Sequence, residues 1–314
     1  MNATKSQTLK TILGLIRYHN LIIIGLSMVL IQFTLIKPIL EINGITTTIN
    51  WLVFILLLAS TLFLAAGGYV VNDILDVKID LINKPGKVLV GKKYPLQSCW
   101  DLYWTLTIAG IVTGLLAAWY NKTNTLMSMA PLEAALLWFY SSIFKRKFLI
   151  GNLLVAFLCA LVLFTPMLFN AVTFKIEGLS FLVLGYCAFA FMLTLIREII
   201  KDLEDVNGDA AFDCKTMPVV IGTLACKIIV SVLIVSVMAA LGWFQYNQTR
   251  SETFTQSDYL SFSYLFVCIQ LPLAALLIML GSAKTKRNYS QTALISKGIM
   301  LSGLLSSVVF YLLM

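Results

Sequence analysis

Apolar runs of about 20 residues recur along this chain from near its start to its last residue, and a helix of that length matches the hydrocarbon thickness of a bilayer. We read nine, at roughly 19–38, 50–71, 101–119, 125–144, 148–170, 179–200, 226–246, 259–280 and 292–314. Inside lipid every backbone N–H and C=O must be satisfied within the protein, so only helices and closed barrels can span it. The make-up agrees, since 59% of residues are hydrophobic and 12% charged, far from the balance of a soluble domain. No remaining stretch is long enough for a separate soluble domain. The sequence therefore predicts one all-α polytopic membrane domain over residues 1–314, with nine transmembrane helices.

The opening "MNATKSQTLKTILGLIRYHN" is polar and weakly amphipathic. It lacks the apolar core and small-residue cleavage site of a signal peptide, so the first span is expected to stay in place. Six cysteines show no C-x-x-C spacing and several fall within spans; they are expected to be apolar fillers, not a disulfide frame or metal site.

Orientation follows from the basic residues. With nine spans, the amino terminus and the loops after spans 2, 4, 6 and 8 hold 19 of the 23 lysines and arginines, and only Lys37, Lys122, Lys175 and Arg250 lie opposite. The positive-inside rule places the rich side in the cytoplasm. An integral protein of a bacterial or archaeal plasma membrane is expected. The net charge of +8 then describes a basic rim. No recognition helix or basic–aromatic stripe is present, so no nucleic-acid partner is expected.

Ten of the fifteen acidic residues lie on that same side, in two groups after spans 2 and 6. In "VNDILDVKID", Asn72, Asp76 and Asp80 fall within roughly 80° on one helix face. In "REIIKDLEDVNGD", Glu198, Asp202, Asp205 and Asp209 fall within roughly 60°. Stacked carboxylates repel, and a hard cation would relieve that repulsion. Mg²⁺ takes one or two carboxylates, waters and substrate phosphate oxygens, and the neighbouring Lys/Arg clusters suit the same polyanion. The pattern predicts a Mg²⁺–diphosphate site at the membrane surface. A transporter would instead be expected to place its acids near the midplane on repeated, broken helices, and no repeat is evident.

Asn72-x3-Asp76-x3-Asp80 after the second span, with Asp202-x2-Asp205-x3-Asp209 after the sixth, resembles the UbiA superfamily of intramembrane prenyltransferases. The segment "LWFYSSIFKRKFLIGN" also matches, with a tyrosine before a Lys-Arg pair after span 4. The two acidic segments are most similar to the archaeal-type branch that attaches geranylgeranyl to geranylgeranylglyceryl phosphate. The first loop departs from that branch, reading "NKPGKVLVGK" where an arginine and a second proline are usual. Lys87 keeps the charge but lacks the bidentate fork for phosphate.

The resemblance implies Mg²⁺ held by Asp76, Asp80, Asp205 and Asp209, with Asn72 and Asp202 as ligands or orienting groups. It implies an isoprenyl diphosphate whose oxygens meet Lys84, Lys87, Lys145, Arg146 and Arg197, with Tyr140 beside them. The prenyl group, expected to be geranylgeranyl, would pass as an allylic cation to an amphiphilic acceptor. A prenylated glycerol phosphate is the expected acceptor; an aromatic quinone precursor or a haem is the alternative. No strong general base stands out. His19 is expected at headgroup level, Asn20 has a candidate family counterpart, and Glu133 is expected to be protonated or paired with a neighbouring helix. Tyr69, Trp138, Phe139, Tyr140, Tyr186 and Phe189 are candidates to line a tail channel, Tyr140 foremost, with ordinary packing or interface anchoring the expected role of any individual one. Gly67-Gly68 is expected to permit close helix approach.

Overall fold

A computed structural model describes residues 5–86, 88–250 and 256–314. In chain order the helices are α1 (Lys5–Leu15), α2 (Tyr18–Ile42), α3 (Trp51–Leu75), α4 (Val77–Asn83), α5 (Leu96–Tyr120) and α6 (Met129–Ser142). They continue with α7 (Ile150–Phe169), α8 (Glu177–Ala211), α9 (Met217–Thr249), α10 (Asp258–Ser282) and α11 (Lys286–Leu313). The described residues contain no named strand, only an isolated bridge between Val90 and Tyr94.

Eight helices among the described residues, α2, α3, α5 and α7 to α11, are long and apolar enough to cross a bilayer. The expected fourth span, 125–144, does not reach that length. α6 has 14 residues, or about 21 Å of rise, against roughly 30 Å of hydrocarbon. Separate 3₁₀ turns at Asn124–Leu126 and Phe144–Arg146 take up its ends. The short helix still carries the chain between the two ends of the bundle. Before it, Asn121 donates to the Phe169 carbonyl at 2.7 Å; after it, Lys145 pairs with Asp76.

Two helix ends set up the functional region in different ways. α3 stops at Leu75 and α4 begins at Val77, because Asp76 leaves helical geometry (φ −95°, ψ 1°). The first acidic stripe is therefore bent at its middle residue, not carried on one straight helix as the spacing predicts. α8 runs unbroken for 35 residues, about 52 Å, which exceeds the hydrocarbon thickness. Its surplus length holds Asp202, Asp205 and Asp209 in the turns that follow its apolar stretch.

Small residues bring α3 against its neighbours, as expected for Gly67-Gly68. A Cβ at Gly67 would stand 2.9 Å from Thr107 of α5, and one at Gly68 would stand 3.0 Å from Leu137 of α6. Ser60 of α3 donates to the Gly110 carbonyl of α5 at 2.7 Å. Such close backbone approach maximises van der Waals contact where lipid offers no hydrophobic drive. At the amino end, fully buried Leu15 of α1 packs with Val70, Val71 and Ile74 of α3, which fixes the turn leading into α2. The six cysteines are free and buried or partly buried, in keeping with a filler role.

α9 is kinked at Gly222, whose φ of 82° and ψ of 161° belong to a region almost restricted to glycine. Nothing lies within 4 Å of where its Cβ would be, so backbone strain alone opposes a side chain. Gly222→Ala is expected to destabilise the protein by about 1–3 kcal/mol, read as a lowered melting temperature in detergent. A melting temperature equal to wild type would show that the kink is dispensable.

Candidate active site

A cavity of about 650 Å³ opens among α2, α3, α4, α6, α7, α8 and α11. Both acidic segments reach it. Asn72, Asp76, Asp80, Asp202, Asp205 and Asp209 all line it, with Lys84, Tyr140, Lys145, Arg146 and Arg197. Lys87 lies outside the described residues. Segments more than 120 positions apart thus converge, and direct bonds hold them: the Gly208 N–H donates to Asn83 Oδ1 at 3.1 Å, and Lys84 Nζ pairs with Asp205 Oδ2 at 2.5 Å.

The charges within this mouth are interlocked. Lys145 pairs with Asp76 and also donates to Asn72 Oδ1 at 3.1 Å. Lys286 adds a second contact to Asp205 at 3.3 Å. Asn152 Nδ2 donates to Asp202 at 2.8 Å, and Thr216 donates to Asp209 at 3.1 Å. Arg146 reaches back to the Leu75 carbonyl at 3.5 Å, near the end of α3. Asp76 is only 2% exposed, and Lys145 is the cation that meets its carboxylate. Burial alone would lower the Lys145 ammonium's pKa, but the Asp76 carboxylate reverses that and holds it above its ordinary value. Desolvation, and next the Asp76 charge, push the Asp80 carboxyl above the usual carboxylate range.

A second charge zone lies beside the first and is basic. Arg17, held in left-handed backbone (φ 50°) between α1 and α2, pairs with Asp73 at 2.6 Å and lies over the Tyr69 ring. Arg197 and Lys201 share Glu198 at 2.7 and 3.0 Å, and Lys297 donates to Asn20 at 2.7 Å. Lys201 lies within electrostatic range of Arg197 and Arg17, and Lys297 within range of Arg197. The four cations and their two carboxylates all line the cavity. Among the described residues, the buried Arg197 Nε has no hydrogen-bond partner.

Among the described residues, no three His, Cys, Asp or Glu side chains are grouped closely enough to hold a metal by themselves. Lysines stand between the carboxylates instead. The donor set nonetheless suits Mg²⁺ bound together with a phosphate, because that ion needs only one or two carboxylates when substrate oxygens complete its shell.

Below the mouth the lining turns apolar, with Ile23, Leu64, Leu158, Val162, Ala190 and Met300 among its residues. Of the candidate aromatics, Tyr69, Tyr140, Tyr186 and Phe189 line the cavity. Trp138 does not; it packs against Trp100 and Tyr103 at ring distances of 6.1 and 5.7 Å. Phe139 is 45% exposed, outside the cavity. His19 is exposed, its ring against Tyr18, in line with a role at headgroup level. Asn20 does line the cavity, as does Glu133. Of the two alternatives expected for Glu133, protonation or pairing with a neighbouring helix, no pairing is found among the described residues.

Sequence reasoning passed over Arg17, Asn152, Lys201 and Lys297 as site residues. Arg17, Lys201 and Lys297 served only to orient the chain. Asn152 carried a usable signal, being an asparagine in an otherwise apolar run directly after the basic cluster.

A family model described as the UbiA prenyltransferase family matches residues 44–304. The chain is 33% identical over 216 residues to the digeranylgeranylglyceryl phosphate synthase of Saccharolobus solfataricus, covering 68% of this chain and 70% of that protein. It is 31% identical over 245 residues to the protein of the same name from Hyperthermus butylicus, covering 77% and 75%. With the Sulfurisphaera tokodaii protein of that name, the match covers 60% of the relative's length. Among solved structures, one of digeranylgeranylglyceryl phosphate synthase in membranes aligns with a TM-score of 0.63 at 22% identity, covering 96% of this chain and 98% of that one. A UbiA homolog from Archaeoglobus fulgidus bound to GPP and Mg²⁺ aligns with a TM-score of 0.61 at 12% identity, covering 95% and 99%. At these identities the structural likeness speaks to the fold.

Proposed function

Because the chain belongs to the UbiA prenyltransferase family, we propose that it transfers a geranylgeranyl group from its diphosphate to the hydroxyl of a prenylated glycerol phosphate. The observation that carries this reading is the division of charge within one cavity. One zone is rich in carboxylates and suits a metal-bound diphosphate; the other is rich in cations and suits a phosphate held without metal. An acceptor bearing its own phosphate uses both zones. The relatives named digeranylgeranylglyceryl phosphate synthase support the same acceptor class. The excess of lysine and arginine on the side that bears this mouth supports a reaction at the cytoplasmic face.

Asp76 and Asp80 from one segment, and Asp205 and Asp209 from the other, would hold Mg²⁺, with Asn72 and Asp202 orienting them. When bound, Mg²⁺ supplies positive charge that stabilises the departing diphosphate. Lys84 and Lys145 move from their carboxylate partners, and Arg146 from the Leu75 carbonyl, onto diphosphate oxygens, and Tyr140 closes the wall beside Lys145. The prenyl tail lies in the apolar depth, out of water. The bond from the allylic carbon to the diphosphate oxygen breaks, and the electron pair leaves with the diphosphate. The acceptor hydroxyl oxygen then bonds that carbon and releases its proton. Capture of a cation needs little prior deprotonation, so no strong base is required. Most of the acceleration is positional and electrostatic.

The test is ether formation by protein purified in detergent, from labelled geranylgeranyl diphosphate, with lipid-phosphate and aromatic acceptors supplied in parallel. Mg²⁺-dependent product on the lipid phosphate is expected; product on aromatic acceptors alone would refute the acceptor assignment. Arg197→Gln removes the donor that has no partner among the described residues. It is expected to raise KM for the phosphate acceptor by about tenfold while KM for the diphosphate stays within about threefold. An equal rise in both constants would place Arg197 in the diphosphate zone instead.

A further inference from the structure

Glu133 lines the cavity apart from both charge zones. α3 and α6 run in the same direction toward the mouth, and Gly68 of α3 faces Leu137 of α6. Glu133, one turn before Leu137, therefore lies level with Leu64. From Leu64 to Asp76 the rise along α3 is about 18 Å, so this carboxyl sits deep beneath the reacting end. Most of the residues that line the cavity near that level are apolar, Leu64, Ala65, Leu137 and Val162 among them, with the Thr61 hydroxyl as an exception.

Two other hydroxyls at that end are already satisfied, while Thr61 of α3 also lines the cavity there. The Ser27 and Thr165 hydroxyls donate to carbonyls of their own helices, Ile23 at 2.7 Å and Leu161 at 2.8 Å. Glu133 has no hydrogen-bond or ion-pair partner among the described residues. A carboxyl in this position is solvated only by water within the cavity, and hydrocarbon that displaced the water would leave it without any partner, at considerable cost.

We propose that Glu133 sets the upper length of the prenyl tail. A tail ending above its level leaves the carboxyl wet, whereas a tail one isoprene unit longer must dry it. This inference rests on the prenyl-transfer reading above and names the residue that selects the diphosphate. The selection comes from polarity, not bulk, because leucine occupies similar volume without the penalty.

Competition between geranylgeranyl diphosphate and the homologue one isoprene unit longer tests it. In Glu133→Leu, the ratio of kcat/KM for the longer to the shorter substrate is expected to rise about tenfold. Glu133→Gln keeps a polar group and is expected to hold that ratio within about threefold of wild type. Glu133→Met serves as a second apolar variant if the leucine protein does not fold, with the same rise expected. An unchanged ratio in the apolar variants would overturn the proposal, as would equal rises in the apolar and glutamine variants. Wild-type protein that transfers neither prenyl group would refute the prenyl-transfer reading itself; normal transfer with an unaltered ratio would sink only the role of Glu133.

Discussion

Asp76→Asn is expected to reduce turnover about 100- to 1000-fold, the range for losing one preorganised electrostatic contact to a developing charge. Asparagine matches the shape and still accepts a hydrogen bond from Lys145, so the bend between α3 and α4 should survive. What is lost is the negative charge, and with it one of the few carboxylates that would hold a cation against the diphosphate. Asp205→Asn should behave alike, because Asp205 stands on the opposing segment with Lys84 and Lys286 around it. The double variant is expected to fall well short of the product of the two losses, since residues that act on one bound group are not additive. Diphosphate release at different Mg²⁺ concentrations is the measurement. Both single variants should need more Mg²⁺ for half-maximal rate. Full activity in either would remove that residue from the site.

Lys145→Met is expected to have the next largest effect, about 100-fold on kcat/KM, together with a change in metal response. Asp76 is 2% exposed and its side chain is paired to Lys145. Removing one partner of a buried pair leaves the other charged and unsatisfied, a loss of roughly 3–5 kcal/mol when both are fully buried. The Lys145 side chain is 35% exposed, so water screens part of that and about 2 kcal/mol is the expected loss. The unpaired carboxylate should then attract a divalent ion without competition from lysine. Mg²⁺ alone, with no diphosphate, is expected to raise the melting temperature of Lys145→Met more than that of wild type. Equal shifts in the two proteins would show that Lys145 does not compete with metal for Asp76. Lys145→Arg keeps the charge but not the compact ammonium, and it should fall between the two.

Much of this site is legible in the order of amino acids alone. A D-x3-D or D-x2-D-x3-D spacing reports a shared helix face, because helical periodicity is local. That both groups follow an even-numbered span puts them at the same side of the membrane. The convergence of the stripes then needs only that helices pack side by side. The partnerships within the mouth are not legible in this way. Lys145 with Asp76, Lys84 with Asp205 and Asn152 with Asp202 join residues 69, 121 and 50 positions apart, and no spacing rule links them. Trp138 shows the limit of a local pattern from the other direction. Its place in an aromatic run near the basic pair suggests a channel wall, yet α6 is rotated so that the ring faces Trp100 and Tyr103.

Solvent explains where the division falls. Hydropathy determined the all-α class and most of the spans, and the distribution of lysine and arginine marked the charged side, because lipid and water act on each segment independently. Interhelical packing alone decided the shortness of α6, the bend at Asp76, the gathering of Arg17, Arg197, Lys201 and Lys297 into one zone, and the inward placing of Glu133. Those features depend on which helix face meets which neighbour, a choice made by close van der Waals fit between distant segments and written in no single stretch of the chain.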